Sequence, residues 1–264
     1  MVSTAEQSAL RAVAEEMADA ARLATLRYFR STELAVDNKE ASGFDPVTMA
    51  DREAEQAMRA VLARRRPDDA VFGEEFGHSE GRSGLTWVLD PIDGTRAFIS
   101  GAPSWGVLIG LDAGQGPVMG LIDQPFTGER FFGGFGKADW RRADETRELG
   151  VRACAGLEHA TLMSTFPEVG TMQEAAAFAA VAAQCRLTRY GLDCYAYALL
   201  AMGQVDLVIE AGLNAYDVQG PIAVIEGARG VVSNWQGGPA HQGGQIIAAG
   251  DARVHKAALE ILNQ

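Results

Sequence analysis

Trp87-Val88-Leu89-Asp90-Pro91-Ile92-Asp93-Gly94-Thr95 runs from an apolar strand into two carboxylates, a proline, a glycine and a hydroxyl. The apolar run calls for burial, and Pro91 and Gly94 make the chain leave the strand in a fixed turn. Asp90 and Asp93 then project into one small volume. Two bare carboxylates ~4 Å apart repel by roughly 4 kcal/mol at an effective dielectric near 20. A hard divalent cation turns that repulsion into binding. Thr95 opens a short helical pattern, Arg96-Ala97-Phe98-Ile99, so its N–H is placed to hold a phosphate oxygen. An Asp-rich turn whose side chains merely cap backbone groups is the simpler reading of a bare D-x-x-D-G. The strand before it and the acidic segments elsewhere in the chain favour a metal site.

Three of those segments matter. In Phe72-Gly73-Glu74-Glu75-Phe76, Glu74 is expected to reach the metal site, and strand alternation turns Glu75 the other way. In Asp45-Pro46-Val47-Thr48-Met49-Ala50-Asp51, Thr48 and Asp51 suit helix caps, and Asp45 is placed to orient water in the outer metal shell. In Glu210-Ala211-Gly212-Leu213-Asn214-Ala215-Tyr216-Asp217, Asp217 opens a helix whose inner face is Val218, Ile222 and Ile225. A carboxylate at a helix N-terminus is favoured by ~0.3–1 kcal/mol, so capping alone explains Asp217. The other acids make it a further ligand candidate.

Around these segments the pattern divides near residue 145. Helical periodicity over about Thr4–Arg30 places Leu10, Val13, Met17, Ala21, Leu23 and Leu26 on one face, with Thr4 and Gln7 as a capping box. A second helix is expected from about Asp51 to Arg65. Segments 70–73 and 85–89 read as short strands, and 105–111, 118–122 and 129–132 as an antiparallel meander. Beyond residue 145, strands at 160–164, 186–190, 205–210 and 245–249 alternate with helices at 171–184, 192–202, 217–229 and 251–262. Residues 1–145 thus form an N-terminal α+β half and 146–264 a C-terminal α/β half. With 35 acidic against 23 basic residues and a formal charge of −12, the chain lacks the basic track that nucleic acid requires. A small phosphorylated substrate stays compatible, because bound cations reverse the local sign. Three cysteines without C-x-x-C spacing, no basic-apolar leader and no apolar run of membrane length are the pattern of a cytoplasmic protein.

FGEE at 72–75, WVLDPIDGT at 87–95 and the Tyr216-Asp217 pair, in that order, resemble the inositol monophosphatase-like, lithium-sensitive phosphatase superfamily. The resemblance spans about residues 5–262. It implies an α-β-α-β-α layered sandwich, usually dimeric, with the site between the halves. It also implies that Glu74, Asp90, Asp93, Asp217 and the Ile92 carbonyl bind two or three Mg²⁺. Gly94 and Thr95 would hold phosphate and assist the water, with Asp45 in the outer shell. The segments 93–101, 120–130, 189–197 and 216–219 look most like the histidinol-phosphate phosphatase branch. Ser104, Asn214-Ala215 and Arg229 depart from what that branch usually carries, and none is a metal ligand.

That branch implies a substrate with an ammonium and an imidazole, which want a carboxylate. Asp193, with Glu210, is expected to hold the cationic end, and Arg189 to reach the phosphate or pair with Asp193. The plainer readings are a helix N-cap for Asp193, a strand-end surface acid for Glu210 and a surface Arg189. Inositol 1-phosphate, a 3′-phosphonucleotide or a sugar bisphosphate are the alternative substrates, since a fold does not choose a leaving group. The expected chemistry is in-line attack by metal-activated water, positioned by Glu74 and Thr95. A nucleophilic Asp of the D-x-D type needs acids two apart, and Asp90 and Asp93 are three apart.

Overall fold

Leu10, Val13, Ala14, Met17, Ala18 and Ala21 line one face of α1 (Thr4–Tyr28) and are buried in the computed structural model, which describes residues 3–32, 36–38 and 46–264. The α1 cap is Ser3, whose Oγ accepts from Glu6 N at 3.2 Å, and not the expected Thr4–Gln7 box. The buried stripe continues through Thr25 and Tyr28, which keeps the 3.6-residue period. Leu23 and Leu26 fall off that stripe and are exposed, against expectation. Asp45, the expected outer-shell residue, lies outside the described residues.

Strands β1 (Val36–Asn38) and β2 (Pro46–Thr48) form a two-stranded antiparallel ribbon leading into α2 (Met49–Arg65). The α2 start has both halves of a capping box, Thr48 and Asp51, as the sequence indicates. Then come β3 (Ala70–Gly73), β4 (Gly77–Ser79), β5 (Thr86–Asp93), α3 (Thr95–Ile99), β6 (Gly106–Asp112), β7 (Pro117–Gln124), β8 (Glu129–Gly134), β9 (Lys137–Arg142) and β10 (Glu145–Glu148). They build an eight-stranded sheet in the order β10-β9-β8-β7-β6-β5-β3-β4, antiparallel except for β3 beside β5. The sequence does not announce β9 and β10: β9 offers only Ala138 and Trp140 to the core among charged neighbours, and β10 is exposed throughout.

The second half supplies β11 (Thr161–Ser164), α4 (Met172–Ala182), β12 (Leu187–Tyr190), α5 (Cys194–Ala201), β13 (Leu207–Asn214), α6 (Ala215–Gly227), β14 (Val231–Ser233), β15 (Gly243–Ala249) and α7 (Ala252–Leu262). Its sheet has the order β12-β11-β13-β15-β14.

Strand alternation decides the layers. Trp87, Leu89, Val107 and Ile109 point to α1 and α2, while Leu108, Ile122 and Phe131 point to α5 and α6. Across α5 and α6, Val208, Ile246 and Ala248 of the second sheet close that middle core. Leu207, Ile209, Ile247 and Ala249 face outward, in one core with Phe178 of α4 and Val254 of α7. The result is the α-β-α-β-α sandwich. α6 lies directly on the first sheet because Gly120 and Gly133 have no side chain: a Cβ there would sit 2.5 Å from Gly220 O and 2.2 Å from Ala223 O.

Candidate active site

Residues three apart on a regular strand face opposite sides of a sheet. In β5 Asp90 pairs with Leu108 but Asp93 pairs with Gly106, so one extra residue is inserted between them. This bulge at Pro91-Ile92 restores the two carboxylates to one side, and a bulge tolerates a proline that cannot donate to the ladder. Asp217, in the first turn of α6, joins them: oxygens of Asp90, Asp93 and Asp217 all lie within 4.8 Å of one another.

Main-chain amides hold all three. Ile92 N donates to Asp90 Oδ1 at 3.0 Å, Cys194 N to Asp93 Oδ2 at 2.7 Å, and Asn214 N to Asp217 Oδ2 at 2.6 Å. Asp217 therefore caps its helix and belongs to the cluster at once. Burial pushes Asp90 and Asp93 well above the carboxylate range, and repulsion by Glu74 and Asp217 adds to Asp90, by Asp193 and Asp217 to Asp93. Asp217 is raised to about 7, first by burial and further by Glu74, against the Asn214 amide. Glu74 is thus within electrostatic and hydrogen-bonding range of Asp90. Carboxylates packed on carboxylates need protons or a cation between them, and this all-oxygen set suits a hard divalent ion.

Thr95 Oγ1 lies 3.1 Å from the Ile92 carbonyl and 3.4 Å from Asp51 Oδ1. The Asp51 carboxylate is 1% exposed, and its other oxygen accepts from Thr48 N at 2.8 Å and Thr48 Oγ1 at 2.6 Å. Burial raises it to about 7, against those two bonds, with Glu75 and Glu74 adding repulsion. The sequence offered Asp51 only as a cap. A T-x-x-D signature looks the same whether or not its second oxygen reaches a site. Glu75 also departs from expectation: β3 has ended at Gly73, alternation stops there, and Glu75 lies close enough to act on Asp51.

A cavity of about 350 Å³ opens beside this cluster, with Glu74, Asp93, Gly94, Thr95, Asp193, Glu210 and Asp217 in its wall. Arg96 is the one cationic side chain lining it among the described residues. Gly94 sits at φ +81°, and a Cβ there would come 2.8 Å from Asp193 Cγ, so only glycine admits Asp193 so near the turn. Asp193 makes no side-chain cap to α5, and Ser104 Oγ donates to its Oδ2 at 2.7 Å. Burial raises its carboxyl. Glu210 is 6% exposed rather than a surface acid. Its Oε1 accepts from Thr165 N at 3.0 Å and from the Thr165 hydroxyl, and its Oε2 from Tyr197 OH at 2.7 Å.

Arg189 is not brought to the site. It lies exposed on β12, the edge strand of the second sheet, outside the cavity wall and with no ion pair to Asp193. Asp193 comes after the Gly191-Leu192 turn, which carries the chain away from β12.

Residues 6–264 match the sequence profile of the inositol monophosphatase family. The chain is 39% identical to bifunctional phosphatase IMPL2, chloroplastic, of Arabidopsis thaliana, over 99% of this chain and 77% of that one. It is 33% identical to a histidinol-phosphatase of Streptomyces coelicolor over 96% of both chains. Among solved structures, an inositol monophosphatase from Zymomonas mobilis superposes with a TM-score of 0.86 at 38% identity, over 99% of this chain and all (100%) of the other.

Proposed function

The chain belongs to the inositol monophosphatase family and is a phosphatase, and from that premise we propose that it hydrolyses L-histidinol phosphate to L-histidinol and phosphate with Mg²⁺. The observation that carries this reading is the acidic wall beyond the metal cluster. Asp193 faces the cavity without capping its helix, and buried Glu210 stands in the same wall. An ester with an ammonium and an imidazole complements that wall. Likeness to the Streptomyces coelicolor enzyme along nearly its full length supports the same substrate.

In this proposal Glu74, Asp90, Asp93, Asp217 and the Ile92 carbonyl hold two or three Mg²⁺, which supply Lewis-acid stabilisation and a more acidic water. Gly94 and Thr95 cradle the phosphate at the start of α3. Glu74 and the Thr95 hydroxyl position the attacking water. Its proton passes to Thr95 Oγ1 as the Thr95 proton passes to Asp51, whose held orientation favours acceptance. The water oxygen bonds phosphorus in line as the ester P–O bond breaks, the leaving oxygen takes a proton from solvent to depart as the alcohol, and no phosphoenzyme forms. Asp193 steadies the leaving group's ammonium or ring. Outside the site, we propose a cytoplasmic homodimer serving histidine biosynthesis. Among the described residues no helix is long and apolar enough to cross a membrane.

A second reading is supported by the Glu210 bonds. Its oxygens already accept from neutral donors, the Thr165 amide and hydroxyl and the Tyr197 hydroxyl, so the surroundings of Glu210 suit a hydroxylated leaving group as well as a cationic one. That suits inositol 1-phosphate, and the Zymomonas mobilis likeness points the same way. Phosphate release from L-histidinol phosphate, myo-inositol 1-phosphate and 3′-phosphoadenosine 5′-phosphate, with and without Mg²⁺, separates the readings. A kcat/KM that favours the inositol ester over the histidinol ester overturns the first.

A further inference from the structure

We propose that Glu55, a buried carboxylate on α2 outside the cavity wall, is the positioning residue that sets Glu74 against the metal cluster. The proposal rests on the reading of Glu74 as a metal ligand.

Glu55 lies one helical turn beyond Asp51 and is 0% exposed. A carboxylate so deep is stable only when its oxygens are fully engaged. Glu75 N donates to Glu55 Oε2 at 2.7 Å. Phe76 N at 3.3 Å and Arg59 Nε at 2.7 Å donate to Oε1. Arg59 then reaches past the carboxylate to Gly77 O and, at 2.9 Å, to Ser79 Oγ, so it clasps β4 as well. Gly73 leaves room for this: a Cβ there would lie 2.1 Å from Glu55 Oε1.

The turn from β3 to β4 is therefore built around the Glu55 side chain. Glu74 sits at its start, and its own N–H donates to Leu89 O at 3.2 Å, on the residue before Asp90. One side of Glu74 is fixed to the strand that carries the cluster. The other side is fixed through the next two amides to Glu55. Without Glu55 the peptide after Glu74 loses its anchor while the peptide before it keeps one, so the Glu74 side chain swings relative to Asp90. Because Asp51 and Glu55 share one face of α2, a single rigid helix places both the Thr95 partner and the Glu74 turn. A buried ion pair by itself is weak evidence of added stability. Geometry at Glu74 is the property that this one controls.

The test is Mn²⁺ binding followed by EPR on wild type, Glu55→Gln, Arg59→Gln, Glu74→Gln and the Glu55→Gln/Glu74→Gln double variant, with circular dichroism in chelator to confirm folding. Partners that orient metal ligands typically govern ~10–100-fold in affinity, and Glu55→Gln is expected to weaken Mn²⁺ within that range. Its kcat should recover at saturating metal. Arg59→Gln should give a smaller loss of the same kind, and it carries the test if Glu55→Gln does not fold. In the Glu74→Gln background, Glu55→Gln should change affinity by less than ~2-fold, because its partner is already gone. An undiminished additional loss in that background overturns the proposal, as does unchanged affinity in folded Glu55→Gln or, should that variant not fold, in Arg59→Gln. Unchanged affinity in Glu74→Gln alone removes the ligand role of Glu74 itself, and the proposal falls with it.

Discussion

Removing divalent cations should make this protein less stable as pH rises from 5 to 8, and Mg²⁺ should reverse the trend. Asp51 and Asp217 both stand near 7 in the folded chain against 3.8 for an ordinary aspartate, burial being the largest cause in each. Between those values the folded state binds protons that the unfolded state has released. Stability from these groups is therefore fully present below about pH 4 and is lost as pH climbs through about 7. One pKa unit is worth about 1.4 kcal/mol, so each group loses at most ~4 kcal/mol over the window. From pH 5 to 7 the pair accounts for at most ~5 kcal/mol. At ~2–4 °C per kcal/mol for a chain of this size, the fall in Tm is at most on the order of 10–20 °C. Burial also raises Asp90 and Asp93 well above the usual carboxylate range, which acts in the same direction. A bound cation favours the ionised carboxylates, so the Tm gain from Mg²⁺ should grow with pH. Differential scanning calorimetry in chelator and in excess Mg²⁺, at half-unit pH steps, reads both slopes. A chelator curve that is flat or rises from pH 5 to 7, or a Mg²⁺ increment independent of pH, refutes the reasoning.

Other outcomes follow from the same geometry. Asp93→Asn, which removes an anionic donor but keeps the shape, should lower kcat/KM on the order of 10²–10³-fold in a Mg²⁺-dependent phosphate-release assay. Thr95→Ala breaks the link to Asp51 and should cost ~10²-fold in kcat, with Thr95→Ser recovering most of it. Ser104→Ala frees the Asp193 carboxylate, and KM for a cationic ester should rise by up to ~10-fold while a neutral ester is unaffected. Arg189→Ala should leave kcat and KM within ~2-fold of wild type, because an exposed residue away from the cavity contributes little.

Much of this architecture is visible in the residues themselves, for physical reasons that differ by segment. Pro91 and Gly94 announce the turn after β5, and helical and strand periodicities give most elements and their layer. The bulge that aligns Asp90 with Asp93 is implied only by the demand that both carboxylates share one site. Asp51 is hidden because the cap and the contact with Thr95 use different oxygens of one carboxylate, and sequence shows only the residue. Glu55 left no trace, since an acidic residue in a helix usually faces water and its burial depends on a turn distant in sequence. Leu23 and Leu26 misled by being apolar near, but not on, the buried stripe of α1. Arg189 misled because closeness in sequence to Asp193 gives no closeness in space once a glycine turn intervenes.

The acids at the end of β5, in the Glu74 turn and at the start of α6 are expected to share divalent ions. Anomalous diffraction from a crystal grown with Mn²⁺ tests this most directly. It should place Mn²⁺ in coordination with Asp90, Asp93, Asp217 and Glu74, at oxygens not already held by main-chain amides. Mn²⁺ bound elsewhere, with these four side chains free of metal and phosphate release still dependent on the ion, would contradict it.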